Sequence, residues 1–154
     1  MSPTTIRKIE LSDIPALFEV RIATWDNDRG AEELTALGIT PESVHRMMTE
    51  RTHRGWLAEI GGQVAGFAMG NRTNGEMWVI AVLKPHEDRG IGRLLLTRVE
   101  DWLWSEGWAE IWQTTDPDES VRSVGFYRHL GWQDWKIDGS RYLRKRRPGA
   151  SPAD

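Results

Sequence analysis

Cysteine is absent from the 154 residues, which excludes a disulfide framework, thiolate metal sites and a cysteine nucleophile. No apolar run approaches the roughly 20 residues that a membrane-spanning helix needs. The start, Met1-Ser2-Pro3-Thr4-Thr5, lacks the basic and apolar blocks of a secretory signal, so a cytoplasmic location is expected. A strong charge of one sign is missing too. The net charge of −3 gives no general case for nucleic-acid binding. One basic run, Arg144-Lys145-Arg146-Arg147, leads into Pro148 and a small, polar tail. It reads as a solvated strand end entering a frayed terminus, with nucleic-acid binding as a distant alternative. The histidines His45, His53, His86 and His129 show no metal-ligand spacing, and no metal is expected. His86 and His129 read as surface residues in turn or helix-end contexts.

What is present is an ordinary globular balance of 39% hydrophobic and 28% charged residues. The length suits one domain with one core, taken as residues 1–147, with 148–154 as a flexible tail. Nine tryptophans are unusual. They are expected in the core, in subunit contacts (that is, a homodimer) and at one or two places in a substrate pocket.

Thr5 to Ile9 mixes apolar and polar residues as a half-buried strand does. Ser12 reads as an N-cap, and Ile14, Leu17, Phe18, Ile22 and Trp25 then follow at helical spacing, giving a helix over 13–25. The stretch 26–37 is acidic and irregular. Thr40-Pro41 opens a second helix with proline at its first position. Three strands follow, 55–60, 63–73 and 76–83, joined by Gly61-Gly62 and Asn74-Gly75, which suit tight hairpin turns. The last, through Met77 to Leu83, is continuously apolar and is expected to be buried on both faces. Ile91, Leu94, Leu95, Val99, Trp102 and Leu103 mark the strongest helix, closed by Gly107. A strand over 109–115, a helix from Asp116-Pro117-Asp118 to Gly131, and a hairpin of 132–137 and 141–145 complete the chain. The order β-α-α-β-β-β-α-β-α-β-β is that of one mixed α/β (α+β) domain.

The chemistry concentrates where the strand at Ile80-Ala81-Val82 turns through Glu87-Asp88-Arg89-Gly90-Ile91-Gly92-Arg93 into a helix. Free amides at a helix N-terminus form an anion site, and glycines let a pyrophosphate approach the backbone. A tight structural turn explains the same glycines. No Gly-Lys-Ser/Thr follows them, which excludes a nucleoside-triphosphate loop. Leu95 stands where a dinucleotide fingerprint needs its third glycine.

This segment resembles the Arg/Gln-x-x-Gly-x-Gly/Ala signature of the GNAT superfamily of acyl-CoA-dependent N-acyltransferases. Gly90 and Gly92 match, and Glu87 stands where Arg or Gln is usual. Phe126-Tyr127-Arg128-His129-Leu130-Gly131-Trp132 is similar to the family's second motif, with Ser120 and Ser123 in place of its Asn and Ala. The resemblance spans nearly the whole chain. It implies a central mixed, mostly antiparallel sheet flanked by about four helices, with acetyl-CoA as co-substrate and an amine-bearing small molecule or peptide as acceptor.

Carried over by position, Ile80, Ala81 and Val82 would pair with the pantetheine like an added strand. The Val82 amide would polarise the thioester carbonyl and stabilise its oxyanion. Asp88, Arg89, Gly90, Ile91, Gly92 and Arg93 would hold the pyrophosphate, and Ser120 would take the contact of the family's Asn. Tyr127 would protonate the departing thiolate, since a phenol with a pKa of about 10 keeps its proton at neutral pH; the other reading is a core tyrosine. Glu76 is the candidate base, six residues before Val82 on a strand where even separations share a face. Closing the Asn74-Gly75 hairpin explains Glu76 as well, and a water-borne base remains open. Thr115, where some relatives place a base, is none. The acceptor pocket would draw on Trp25, Asp26, Asp28, Glu32, Glu33, Trp78 and Tyr142. The rival to catalysis is a regulatory module that binds acyl-CoA without chemistry.

Overall fold

The computed structural model describes residues 3–24, 30–87, 89–115 and 122–149. The chain runs through β1 (Thr4–Lys8), α1 (Ile14–Ala23), α2 (Gly30–Ala36), α3 (Pro41–Thr49), β2 (His53–Ile60) and β3 (Gln63–Asn71). It continues through β4 (Glu76–Val82), α4 (Ile91–Ser105), β5 (Glu110–Thr115), α5 (Arg122–His129), β6 (Gln133–Asp138) and β7 (Ser140–Arg146). All seven strands join one sheet in the order β1-β2-β3-β4-β5-β7-β6. Only β4 and β5 are parallel neighbours. The mixed, mostly antiparallel sheet is as expected.

Five helices flank it among the described residues, one more than the pattern implied. The addition is α2, inside the stretch read as irregular. At seven residues, with Leu34 and Gly30 its buried positions, it is too short to show a period and owes its stability to packing. Ser12 does not cap α1. It sits in a 3-10 turn, Leu11–Asp13, where the Asp13 carboxylate accepts from the Glu10 amide at 2.7 Å and from Arg7 at 2.8 Å. The cap expected for α3 is present: Thr40 Oγ1 accepts from the Ser43 amide, and Ser43 Oγ from the Thr40 amide. In the β2–β3 hairpin Gly61 and Gly62 have φ of 60° and 80°, the two positive angles that a two-residue turn demands. The start expected for α5 at Asp116 lies outside the described residues, as do Trp25 and positions 150–154 of the expected tail.

Two apolar layers sandwich the left part of the sheet. Leu95, Leu96, Val99 and Leu103 of α4 pack on Ala58, Ala68 and Met77. On the other face, Leu17 and Val20 of α1 join Leu57, Phe67, Met69 and Ala81. Burial of each such leucine stabilises the fold by about 1.5–3 kcal/mol. Leu94, placed inward by its spacing, is instead 51% exposed, and Leu96 is buried. At 100° per residue Leu94 falls roughly 150° round the helix from the centre of the buried stripe. Deeper along α4, Glu100 accepts from Trp132 Nε1 and Lys145 Nζ, each at 2.9 Å. That buried carboxylate ties the helix to the last strand.

The interior of β4 departs from expectation. Met77 and Ala81 are buried, but Trp78, Val79, Ile80 and Val82 are only partly so. Two features explain it. Pairing with β5 is confined to Glu76 opposite Trp112, so the two strands part and leave a gap beside the rest of β4. Across β3, Met69 faces Val79 while Gly70 faces Met77, so Trp78 is an extra, bulged residue.

Candidate active site

The gap beside β4 has a defined chemistry. The Leu83 amide donates to the Ala65 carbonyl at 2.9 Å, which sets the alternation of the antiparallel ladder. Ala81 and Val79 turn their backbone groups toward β3, opposite Phe67 and Met69. The N–H and C=O groups of Ile80 and Val82 therefore point the other way, into the gap. An extended ligand chain can pair with this edge as an added strand would.

A cleft of about 410 Å³ opens there, bounded by Ile80, Val82, the turn before α4, its first residues Ile91 to Arg93, and Phe126 and Tyr127 of α5. Gly90 has φ of 75° and precedes the first helical residue, a left-handed conformation suited to glycine. The first-turn amides of this 15-residue helix have no partner within it and face the cleft end, so the helix offers an anion site. A Cβ on Gly92 would meet only Phe126 Cζ at 3.4 Å and Phe126 Cε1 and Val82 Cγ2 at 3.9 Å. Its smoothness is thus not demanded by packing, and it leaves the floor of the cleft low. His86, read from sequence as a surface residue, lines the cleft, and its Nδ1 is buried without a hydrogen-bond partner. An orphaned polar atom in the turn that precedes α4 fits a site for a polar ligand such as a pyrophosphate.

The structure thus brings Ile80, Val82, Gly90, Ile91, Gly92, Arg93 and Tyr127 to one cleft. Ala81 turns its side chain into the core under α1. Arg89 is exposed beside the cleft rather than lining it. Asp88 and Ser120 lie outside the described residues. Ser123 and Phe126 also line the cleft, positions that helical spacing beside Tyr127 could have suggested.

Tyr127 is 6% exposed. Burial pushes its phenol well above the usual range, while the charge of Arg21 opposes the shift. Arg21 belongs to α1, on the opposite face of the sheet from α4. Its own guanidinium feels burial first, which lowers its pKa, and then Tyr127, which raises it. The two residues reach each other electrostatically across the gap beside β4. On the α1 side Arg21 lines a second, apolar pocket of about 110 Å³ with Leu17, Phe18, Leu34, Phe67, Trp78 and others. The pocket is lined by Trp78 and Val79 of β4 and the cleft by Ile80 and Val82, so the Val79–Ile80 step of the strand separates two cavities on opposite faces of the sheet.

Glu76 starts β4 and pairs with Asn71. The shared face with Val82 implied by even spacing does not hold, because the count runs through the bulge at Trp78. Met77 packs in the α4 core, which puts Glu76 on the α1 face, the face of the apolar pocket. Burial raises its carboxyl above the usual range, and a side-chain hydrogen bond with Asn74 opposes this. Of the other residues expected at the acceptor, Trp78 lines the pocket, whereas Glu32, Glu33 and Tyr142 do not. Tyr142 stacks on Trp112 at 5.9 Å. Asp26 and Asp28 lie outside the described residues. No group of three or more metal-ligating side chains occurs among the described residues, and none of their helices is long and apolar enough to cross a membrane.

No curated protein matches the chain in sequence. Among solved structures, it is similar to the PaiA N-acetyltransferase of Thermoplasma acidophilum in complex with coenzyme A. That likeness has a TM-score of 0.82 at 19% identity, over 94% of this chain and 99% of the other. YncA of Salmonella typhimurium with its cofactor acetyl-CoA gives 0.72 at 17% identity, over 98% of each chain. The ribosomal-protein-S18-alanine N-acetyltransferase of Escherichia coli gives 0.73 at 18%, over 97% of each. These likenesses show the fold. The sequence itself matches the model of the acetyltransferase (GNAT) family over residues 14–132, most of the chain and all of the cleft and pocket. With the open strand edge and the helix N-terminus in place, the chain belongs to that family and is an acetyl-CoA-dependent N-acetyltransferase.

Proposed function

We propose that the protein acetylates a primary amine by direct attack of that amine on acetyl-CoA, with donor and acceptor bound together. The observation that carries this is the placement of two cavities on opposite faces of β4, divided at the Val79–Ile80 junction, one beside a helix N-terminus and one walled by apolar side chains. The pyrophosphate lies against Gly90 to Arg93, and the pantetheine pairs with the free backbone of Ile80 and Val82. The amide that polarises the thioester carbonyl belongs to this edge. Its place at the junction favours Ile80 over Val82, the residue that the family resemblance suggested.

Tyr127 delivers a proton to the leaving thiolate. The buried phenol keeps its proton at neutral pH and so has one to give, while burial makes it a weaker acid than a free tyrosine. Glu76 accepts the proton of the amine through water. Four extended residues separate it from Ile80, about 13 Å along the strand, too far for direct contact. A cytoplasmic setting remains part of this reading. The rival, a module that binds acyl-CoA without chemistry, gives no use to a buried tyrosine facing the cleft beside Arg21.

Calorimetric titration with acetyl-CoA, with ATP as control, tests the donor site. Micromolar binding of acetyl-CoA alone is expected, and Gly92→Asp should abolish it while leaving the circular dichroism unchanged. Unchanged affinity in that variant would remove the anion site from the turn before α4.

A further inference from the structure

The apolar pocket differs in kind from the cleft. Leu17, Leu34, Val44, Phe67 and Trp78 are among its walls, and Arg21 is the one charged residue among its described lining. A second ammonium of a polyamine, placed there, would be stripped of water with no carboxylate among the described lining side chains. Size narrows the choice further. An apolar cavity of about 150 Å³ is known to hold benzene, and this one measures about 110 Å³. A branched or linear aliphatic group of about four heavy atoms fills such a volume, and anything larger would project from its open side, where Leu37 is exposed.

Arg21 sits where such a group would end, at the side of the pocket within electrostatic reach of Tyr127. It is already engaged within the protein. A guanidinium carries five donors in a planar fork, however, and can serve a second acceptor while keeping its first. Its preferred partner is a carboxylate, met by two parallel hydrogen bonds.

We infer that the acceptor is a small aliphatic α-amino acid, its side chain in the apolar pocket, its carboxylate on Arg21 and its amine at the Val79–Ile80 junction. This rests on the acetyl transfer proposed above. The amine nitrogen attacks the thioester carbon, the new C–N bond replaces the C–S bond, and the sulfur leaves with a proton from Tyr127. The amine gives up its proton through water to Glu76, solvent exchange moves that proton off Glu76 and restores the one lost by Tyr127, and the products are the N-acetyl amino acid and free coenzyme A. Arg21 acts here as a specificity-determining residue.

The test is thiol release from acetyl-CoA with leucine, methionine, phenylalanine, tryptophan, leucinamide, 3-methylbutylamine and spermidine. Leucine or methionine should exceed 3-methylbutylamine, leucinamide and tryptophan at least tenfold in kcat/KM. Arg21→Gln should raise KM for leucine more than tenfold with little change in kcat or in acetyl-CoA affinity, and Arg21→Lys should recover part of the loss. Leu34→Ala, which enlarges the pocket without touching Arg21, should move preference toward phenylalanine. Equal rates with 3-methylbutylamine, or spermidine as the best acceptor, would overturn the inference. So would acetyl-CoA binding with no amino acid accepted, which would leave the donor site standing. Failure of acetyl-CoA to bind would instead bring down the transferase reading and this inference with it.

Discussion

A phenol that loses its proton near pH 10 in water loses it later still at position 127, where burial outweighs the nearby charge of Arg21. Tyr127→Phe removes that proton and little else, because the ring keeps its contacts with Phe126 and Trp132. The expected result is a fall in kcat of about 100-fold or more with acetyl-CoA affinity unchanged; equal losses in both would make the tyrosine structural. Glu76 poses the opposite titration. Its carboxyl holds a proton to higher pH than an exposed glutamate does, so as a base it becomes competent only above that raised value. The lower limb of kcat/KM against pH should rise through it and disappear in Glu76→Gln. Stability runs the other way: since the folded state binds this proton more tightly than the unfolded chain, Glu76 makes folding less favourable as pH climbs from the ordinary glutamate range through its raised value. An unaltered rate profile in the variant would hand the proton to solvent or another residue.

Helix α4 carries the anion site at one end and its anchorage toward the other. Glu100 is buried and holds Trp132 and Lys145. Removing one member of such a set strands the others, so Glu100→Ala should cost about 3 kcal/mol in urea denaturation. A loss below about 1 kcal/mol would mean that the carboxylate is dispensable. Elements of this kind were legible from spacing: the stripe of α4, the Gly61-Gly62 hairpin and the Thr40 cap all came from local rules. What escaped had no local mark. Helix α2 is too short to display a period. The bulge at Trp78 lies inside an unbroken apolar run, and it alone decides which face Glu76 occupies. Arg21 looks like any polar residue on a helix flank, and His86 like any residue of a turn. Their environments are made by segments distant in sequence: β4 and α5 for Arg21, and α5 across the cleft for His86. The glycines of the turn before α4 were readable because a backbone need falls on the residue itself.

At the scale of the molecule, the sheet is two pieces joined by one parallel contact, Glu76 opposite Trp112. A donor that fills the gap binds the folded chain and not the unfolded one. At 100 times its dissociation constant, acetyl-CoA should stabilise the fold by about 2.7 kcal/mol. For a domain near this size that corresponds to a rise in Tm of about 5–10 °C, readable by differential scanning fluorimetry. No shift at that concentration would mean that acetyl-CoA does not bind the folded chain in preference to the unfolded one. The seam also sets how the protein ages. Between turnovers the Ile80 and Val82 edge is an unfinished strand edge in mid-sheet, and such edges invite pairing with stray extended chain. With the donor paired along this edge as proposed, what the enzyme consumes is also its closure. A cell running short of acetyl-CoA would hold copies of this chain that are slower to work and easier for a protease to unzip.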